Sequence, residues 1–292
     1  MQEVERAQPW LGTRVSVRVA ATDVQSANRA IDAAFSEIAT VHRLMSFHTE
    51  TSDVSRLNRE ATARSVPVHP YTREVLRWAL RISRDSAGCF DISVGCEMVD
   101  WDLLPRPAEL WPAADACWRD IALHADRRVT FRKPLWIDLG GIAKGYAVDR
   151  AVTALKRSGV PRGVVNAGGD LRAFGSTPEQ VALALECPQD PVPVIDLRNG
   201  SVASSSGHVA RRKIAGEWRG AHADGATRKP APTNRFVCVL SQRCIIADAL
   251  TKVVMARGAE ARPLLRRYGA AAHVYSDGLG ERRGEYRGWL HL

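Results

Sequence analysis

With 292 residues, 45% of them hydrophobic and 25% charged, the chain has a globular composition and enough apolar content for a sizeable core in one large domain or two small ones. Lysine and arginine outnumber aspartate and glutamate by 41 to 32, a formal charge of +9. The basic residues are spread along the chain without a nucleic-acid-binding motif, which argues against a nucleic-acid partner and favours an anionic small ligand.

No apolar run approaches the roughly 18 residues of a membrane span. The six cysteines include no Cys-x-x-Cys pair, so they read as reduced thiols and not as a disulfide framework or zinc site. The start, Met1-Gln-Glu-Val-Glu-Arg6, has neither a signal-peptide apolar region nor a lipid-attachment cysteine, which predicts a cytoplasmic protein where that start is native. Residues 11–19 alternate as an antiparallel strand does, and Val24, Ala27, Ile31, Phe35, Ile38, Val41 and Met45 then recur at helical spacing, with Thr22 and Gln25 as a capping box. A second helix is predicted over 72–85, with Val75, Trp78, Ala79 and Ile82 inward and Gly88 beyond its end. Residues 102–120, with Pro105, Pro107, Pro112, Trp111 and Trp118, predict an irregular excursion placed to cap a site.

Residues 137–149 predict a buried strand that passes into a helix through Gly140 and Gly141, with Asp138, Lys144 and Asp149 around the junction. Paired glycines let a ligand approach the backbone, the first helical turn presents free N–H groups, and Lys144 adds a mobile cation, so the junction suits a phosphate; an ordinary strand-to-helix turn has the same outline. Residues 163–170 repeat the pattern with Asn166, Gly168, Gly169 and Asp170, and the two corners can face one site. Neither is the three-glycine dinucleotide fingerprint or a P-loop. Helices are predicted over 142–158 and 245–257, and strands over 164–167, 180–186, 193–198, 236–241 and 271–275. Residues 216–234, polar and rich in Gly, Pro and Ala, predict a mobile loop. Strands and helices without regular alternation fit an α+β fold.

Seven motifs then stand in a telling order: Leu11-Gly-Thr-Arg-Val15; Met45-Ser46 with Ser52-Asp-Val-Ser-Arg-Leu-Asn58; Phe90-Asp-Ile-Ser-Val-Gly95; the 138–149 block; Asn166-Ala-Gly-Gly-Asp170; Ala203-Ser-Ser-Ser-Gly207; and Ala247-Asp-Ala-Leu-Thr251. Over about residues 11–258 the chain resembles the FAD:protein FMN transferase (ApbE-like flavin transferase) family. The resemblance implies one α+β domain over 1–292, with mixed sheets, packed helices and a ligand site in a cleft between two lobes. It further implies that FAD binds with Mg²⁺, that its pyrophosphate is split, and that FMN passes to a serine or threonine hydroxyl of an acceptor flavoprotein, releasing AMP.

By the same resemblance, Leu11, His48, Cys89, Phe90, Asp91, Asp138 and Lys144 fall where the family contacts FAD, and the Asn166, Gly168, Gly169 corner joins them. Leu11 and Phe90 would touch the flavin, Asp138 a polar edge and Lys144 negative oxygen, with Asp170 a structural partner of its corner. Asp248, Lys144 and His222 form the implied catalytic set, and Gly141, Asp248, Thr251 and Lys252 the implied metal set.

The chain departs from the family at several of these places. Lys252 stands where a threonine is usual, and its ammonium would repel a divalent cation or stand in for part of its charge. The His-x-x-Asp-Pro segment reads Ala221-His-Ala-Asp-Gly225, with His222 displaced, and His48 and Val209 replace tyrosines. A FAD-binding carrier or regulator, or a FAD pyrophosphatase yielding FMN and AMP, are the alternatives.

Overall fold

Val15, Val17 and Val19 are buried while the residues between them are half-exposed, the alternation of a strand with one face on a core. That strand belongs to an eight-stranded sheet whose spatial order is also its chain order. Its strands are β1 (Gln2–Trp10), β2 (Thr13–Ala21), β3 (Arg162–Ala167), β4 (Asp170–Phe174), β5 (Ser201–Ser206), β6 (Arg235–Ser241), β7 (Ala271–Ser276) and β8 (Glu285–Trp289). Each pairs antiparallel with the next. The computed structural model describes residues 1–183, 193–208, 211–214, 216–276 and 285–289.

The helices lie in the connections. Between β2 and β3 come α1 (Val24–Met45), α2 (Asp53–Glu60), α3 (Pro70–Asp85), α4 (Gly95–Asp100), a three-stranded sheet in the order Val66–Pro67, Arg128–Phe131, Ile121–Leu123, and α5 (Ala143–Arg157). Between β6 and β7 come α6 (Cys244–Arg257) and α7 (Arg262–Arg267). Helices α1, α5 and α6 bury their apolar residues, Ile31, Ile38, Val148, Val152, Ile245 and Leu250 among them, in one core with Val15, Val17, Val165, Ala203, Val237 and Val239 of the sheet. The opposite face, with Val164, Leu171, Val202 and Cys238, packs with Leu183 and Leu197 of the segments around the Glu179–Ala182/Val194–Leu197 hairpin. Sheets and packed helices agree with the α+β expectation, although the described strand pairs are all antiparallel where mixed sheets were expected. Among the described residues no helix is long and apolar enough to cross a membrane.

Several local expectations are corrected. Helix α1 is capped by Asp23, whose Oδ1 accepts the Ser26 N–H at 2.8 Å, and not by a Thr22 and Gln25 box; a carboxylate at the cap is a strong acceptor for free helix N–H groups. The strand expected over residues 11–19 is seen as Thr13–Ala21, because Leu11 and Gly12, at φ 57° and 72°, form the two-residue turn joining β1 to β2. The buried strand expected to lead into Asp138 is not formed, since residues 134–139 join no sheet. The Asn58 amide takes both backbone groups of Ile137, at 2.7 and 3.0 Å, and Asp138 N–H donates to the Ile92 carbonyl at 2.8 Å.

The expected mobile loop over 216–234 contains short paired strands and is pinned to the rest of the chain. Gly225 N–H donates to the Cys89 carbonyl at 2.9 Å, and the Arg228 guanidinium reaches Asp91 at 3.1 Å, Ser93 Oγ at 2.9 Å and the Ala116 carbonyl at 2.8 Å. The expected strand over 180–186 is seen as Glu179–Ala182, while its residues 184–186, and Val209, lie outside the described residues.

Candidate active site

The site begins with the clamp on Ile137, which aims the next residue, Asp138. Asp138 Oδ1 accepts the Gly140 N–H at 2.9 Å, closing a tight turn that leads into α5. Desolvation raises the Asp138 carboxyl above its ordinary range, against the Gly140 hydrogen bond and the nearby charges of His48, Lys144 and Lys252. Lys144 lies in the first turn of α5. Gly145 follows because α6 crosses there: a Cβ at this position would lie 2.3 Å from the Cys244 carbonyl oxygen.

Across that contact, α6 contributes Asp248, Thr251 and Lys252. Asp248 is fully buried; its Oδ2 accepts the Gly145 N–H at 2.9 Å and its Oδ1 pairs with the Lys252 ammonium, which also donates to the Asp248 carbonyl at 3.1 Å. Lys144 Nζ lies 2.6 Å from Asp170 Oδ2 and 3.6 Å from Asp248 Oδ1. Thr251 Oγ1 donates to the Asp248 carbonyl at 2.7 Å and lies 2.8 Å from Ser205 Oγ on β5.

Asp170 opens β4 after Gly168 and Gly169, whose φ of 63° and 97° make the two-residue hairpin turn, with Asn166 Oδ1 accepting the Gly169 N–H at 2.9 Å. Burial works against the Asp248 charge, yet Lys144, Lys252 and the Gly145 N–H outweigh it and hold this carboxyl below its ordinary value. Asp170 is shifted the other way by burial and by the neighbouring Asp248 charge, and its Oδ1 has no hydrogen-bond partner. Burial likewise opposes the Lys144 charge, but Asp170 and Asp248 prevail and keep it firmly protonated.

These groups back onto a cavity of about 750 Å³, within the range of small-molecule sites. The insertion between β2 and β3 supplies an apolar wall of Phe90, Ile92, Val94, Met98, Leu103 and Leu104; the sheet side supplies Leu171, Val202, Phe236 and three consecutive serines, Ser204 to Ser206. Lys144 and Lys252 line it, whereas Asp170 and Asp248 are fully buried behind them. The cavity therefore presents two ammonium groups whose charge is supported from the rear, an arrangement suited to a diphosphate. His222 also lines it; desolvation, with Lys252 and Lys144 nearby, pushes its pKa down to about 3, so the ring is neutral near pH 7.

Of the residues singled out from the sequence, Cys89, Phe90, Asp91, Asp138, Gly141, Lys144, Asn166, Gly168, Gly169, His222 and Lys252 meet around this one cavity. Asp248 stands behind it and Thr251 turns into the core. Leu11 lies elsewhere, in a shallow groove with Trp10, Gly12 and His42. His48 is exposed and outside the lining, although its charge is felt at Asp138. Asp91 spends its oxygens internally, on Ser93, the Trp118 N–H and Arg228. Sequence reasoning missed Arg228 and most of the apolar wall.

A magnesium ion requires near-octahedral oxygen ligands at about 2.0–2.1 Å. Here both Asp248 carboxylate oxygens are engaged, by Lys252 and by Gly145, and the Thr251 hydroxyl is engaged by Asp248 and Ser205. The Lys252 chain passes beside Gly141, with its Cε 3.4 Å from where a Cβ would stand. Among the described residues no group of three or more His, Cys, Asp or Glu is placed to hold a metal. The set Gly141, Asp248, Thr251 and Lys252 is thus an ion-paired cluster that does not fit a divalent cation, because the Lys252 ammonium occupies the carboxylate oxygen a metal needs.

The sequence profile of the ApbE family matches residues 11–274. The FAD:protein FMN transferase of Vibrio cholerae is 26% identical over 285 residues, covering 89% of this chain and 83% of that protein. That of Treponema pallidum is 25% identical over 290 residues, covering 89% and 80%. Among solved structures, an ApbE protein from Thermotoga maritima superposes with a TM-score of 0.85 at 24% identity, covering 99% of this chain and 97% of that one. The apo flavinyl transferase ApbE of Pseudomonas stutzeri does so with a TM-score of 0.83 at 21% identity, covering 99% and 95%. The fold, the ordered motifs and the profile match over most of the length agree: this chain belongs to the ApbE family.

Proposed function

We propose that the chain acts, as a single domain over 1–292, as a FAD:protein FMN transferase. FAD binds with its flavin against the apolar wall at Phe90 and its pyrophosphate at Lys144 and Lys252. A serine or threonine hydroxyl of an acceptor flavoprotein attacks the FMN phosphorus in line. The new O–P bond forms as the bridging P–O bond breaks, AMP departs with the bridging oxygen, and the hydroxyl proton is lost. The observation that carries this reading is the pair of ammonium groups facing the cavity with their carboxylates behind.

The work of these residues is positional and electrostatic. Lys144 and Lys252 orient the diphosphate and offset charge that builds on the departing phosphate. Burial is the main cause of the depressed His222 pKa and the two lysines the lesser one, so the ring enters the complex neutral, and the diphosphate offsets only the lysine part. Asp248 contributes by fixing Lys252. Mg²⁺, which family resemblance implies, enters no step, because Lys252 and the Gly145 N–H take both carboxylate oxygens of Asp248.

Separation of FAD, FMN and AMP after incubation with and without an acceptor tests the proposal: AMP forms only with acceptor present, and the acceptor gains flavin fluorescence that survives denaturation. The Lys252–Asp248 pair also favours a second reading, a FAD carrier without transfer, in which FAD binds and stays intact in both arms. AMP and free FMN without acceptor identify a pyrophosphatase.

A further inference from the structure

Two carboxylates, Asp170 and Asp248, and two ammonium groups, Lys144 and Lys252, form one contiguous cluster at the floor of the cavity. Their formal charges cancel, and the Lys252 side chain is only 13% exposed, so it is a built part of the floor and not a surface lysine. A divalent cation added here would sit against two ammonium groups at low dielectric and would first have to displace Lys252 from Asp248. A diphosphate meets the opposite situation, since each ammonium faces the cavity with a free direction for another acceptor.

We propose that Lys252 takes the place of a divalent metal in this protein, so that the site holds no Mg²⁺ or Mn²⁺ of its own and binds the FAD pyrophosphate through Lys144 and Lys252 alone. The FAD half of this statement rests on the function proposed above; the metal half does not. Lys252 reaches its post because it lies one helical turn after Asp248, where an i, i+4 ion pair forms along α6, and because Gly141 offers no side chain to block its stem. Removal of that side chain frees Asp248 Oδ1 and opens the space beside the Gly141 backbone, the conditions under which a hard cation is held by oxygen ligands.

The test uses the full chain after EDTA dialysis, with Mn²⁺ alone as a spin probe and with FAD binding followed by flavin fluorescence in EDTA or in Mg²⁺. The unaltered protein leaves the free Mn²⁺ signal unchanged and binds FAD with a Kd that shifts by less than about twofold between EDTA and Mg²⁺. Lys252→Thr binds Mn²⁺ at least about tenfold more tightly than the unaltered protein, and its FAD affinity falls by at least about tenfold in EDTA and recovers in Mg²⁺. Lys252→Arg, which keeps the cation, excludes Mn²⁺ as the lysine does; circular dichroism confirms that both variants are folded. Stoichiometric Mn²⁺ binding by the unaltered protein, or FAD binding that requires Mg²⁺, overturns the inference. Absence of FAD binding in either buffer overturns the proposed function instead, and the Mn²⁺ arm still decides the metal question.

Discussion

Asp149 Oδ1, on α5, accepts the backbone N–H of Cys244, the first residue of α6, at 3.0 Å. Its Oδ2 accepts the next N–H, of Ile245, at 3.1 Å, and Arg172 of β4 pairs with Oδ1 at 2.6 Å. Helix α6 has no side-chain cap from its own flanking residue, Arg243, so a neighbouring helix supplies the negative charge its N-terminus needs. The same contact sets the distance between Lys144, early in α5, and Asp248 and Lys252, farther along α6. One carboxylate thus joins helix stability to the geometry of the site.

Asp149→Ala leaves two helix N–H groups and the Arg172 charge without their partner. It is expected to lower unfolding stability by about 3 kcal/mol, measured by urea denaturation, with a smaller loss for Asp149→Asn. A loss below about 1 kcal/mol for the alanine variant contradicts the capping role.

Gly145→Ala puts a methyl group 2.3 Å from the Cys244 carbonyl oxygen and 2.8 Å from Asp248 Cβ, so α5 and α6 must separate. The expected cost is about 2–3 kcal/mol of stability. FAD affinity, read by fluorescence titration, falls as well, because Lys144 moves relative to Lys252. Unchanged affinity and melting temperature exclude the tight crossing.

Lys144→Met keeps most of the side-chain length and removes the charge. Loss of a charged hydrogen bond to the diphosphate corresponds to a roughly 10- to 100-fold rise in the Kd for FAD. The same variant changes the affinity for riboflavin, which lacks phosphate, by less than about twofold. An equal loss for both ligands assigns Lys144 to the fold and not to phosphate recognition.

The depressed pKa of His222, about 3 in the folded chain, makes stability depend on acid. Unfolded histidine titrates near 6.5, so between these values the unfolded state binds more protons and folding weakens as pH falls. This contribution is complete above about pH 6.5 and is lost progressively towards pH 3. In melting curves between pH 7 and pH 4, His222→Asn is expected to lose less stability than the unaltered protein. Parallel curves for the two proteins contradict a desolvated, neutral His222.

The sequence revealed those parts of the fold whose signal is local. Helix α1 was legible because Ala27, Ile31, Phe35, Ile38 and Val41 keep one face buried for its whole length, and α5 and α6 fall within a residue of the spans predicted for them. Strand β1 was not, because as an edge strand it is nowhere fully buried, and its half-buried positions, Val4, Arg6, Gln8 and Trp10, show no polarity pattern to match their regular alternation in exposure. The 134–139 segment looked like a strand because Leu135, Trp136 and Ile137 are all buried, but its hydrogen bonds go to Asn58 and the 92–95 turn, a pairing no periodicity reveals. At the site, Lys144, the paired glycines and Asp170 announced themselves as compact motifs. The apolar lining did not, since the 90–104 segment meets Leu171, Val202 and Phe236 from far along the chain, and an apolar residue facing a cavity reads like one facing the core. Arg228 had no pattern at all, being a single arginine in a polar stretch whose partners lie more than a hundred residues away.

The most direct measurement is mass spectrometry of an acceptor flavoprotein incubated with this chain and FAD, with AMP quantified in the same sample. Phosphoester-linked FMN on one serine or threonine, formed in equal amount with AMP and lost in Lys144→Met, is the predicted result. Intact FAD beside an unmodified acceptor, with the protein folded and FAD bound, contradicts the account.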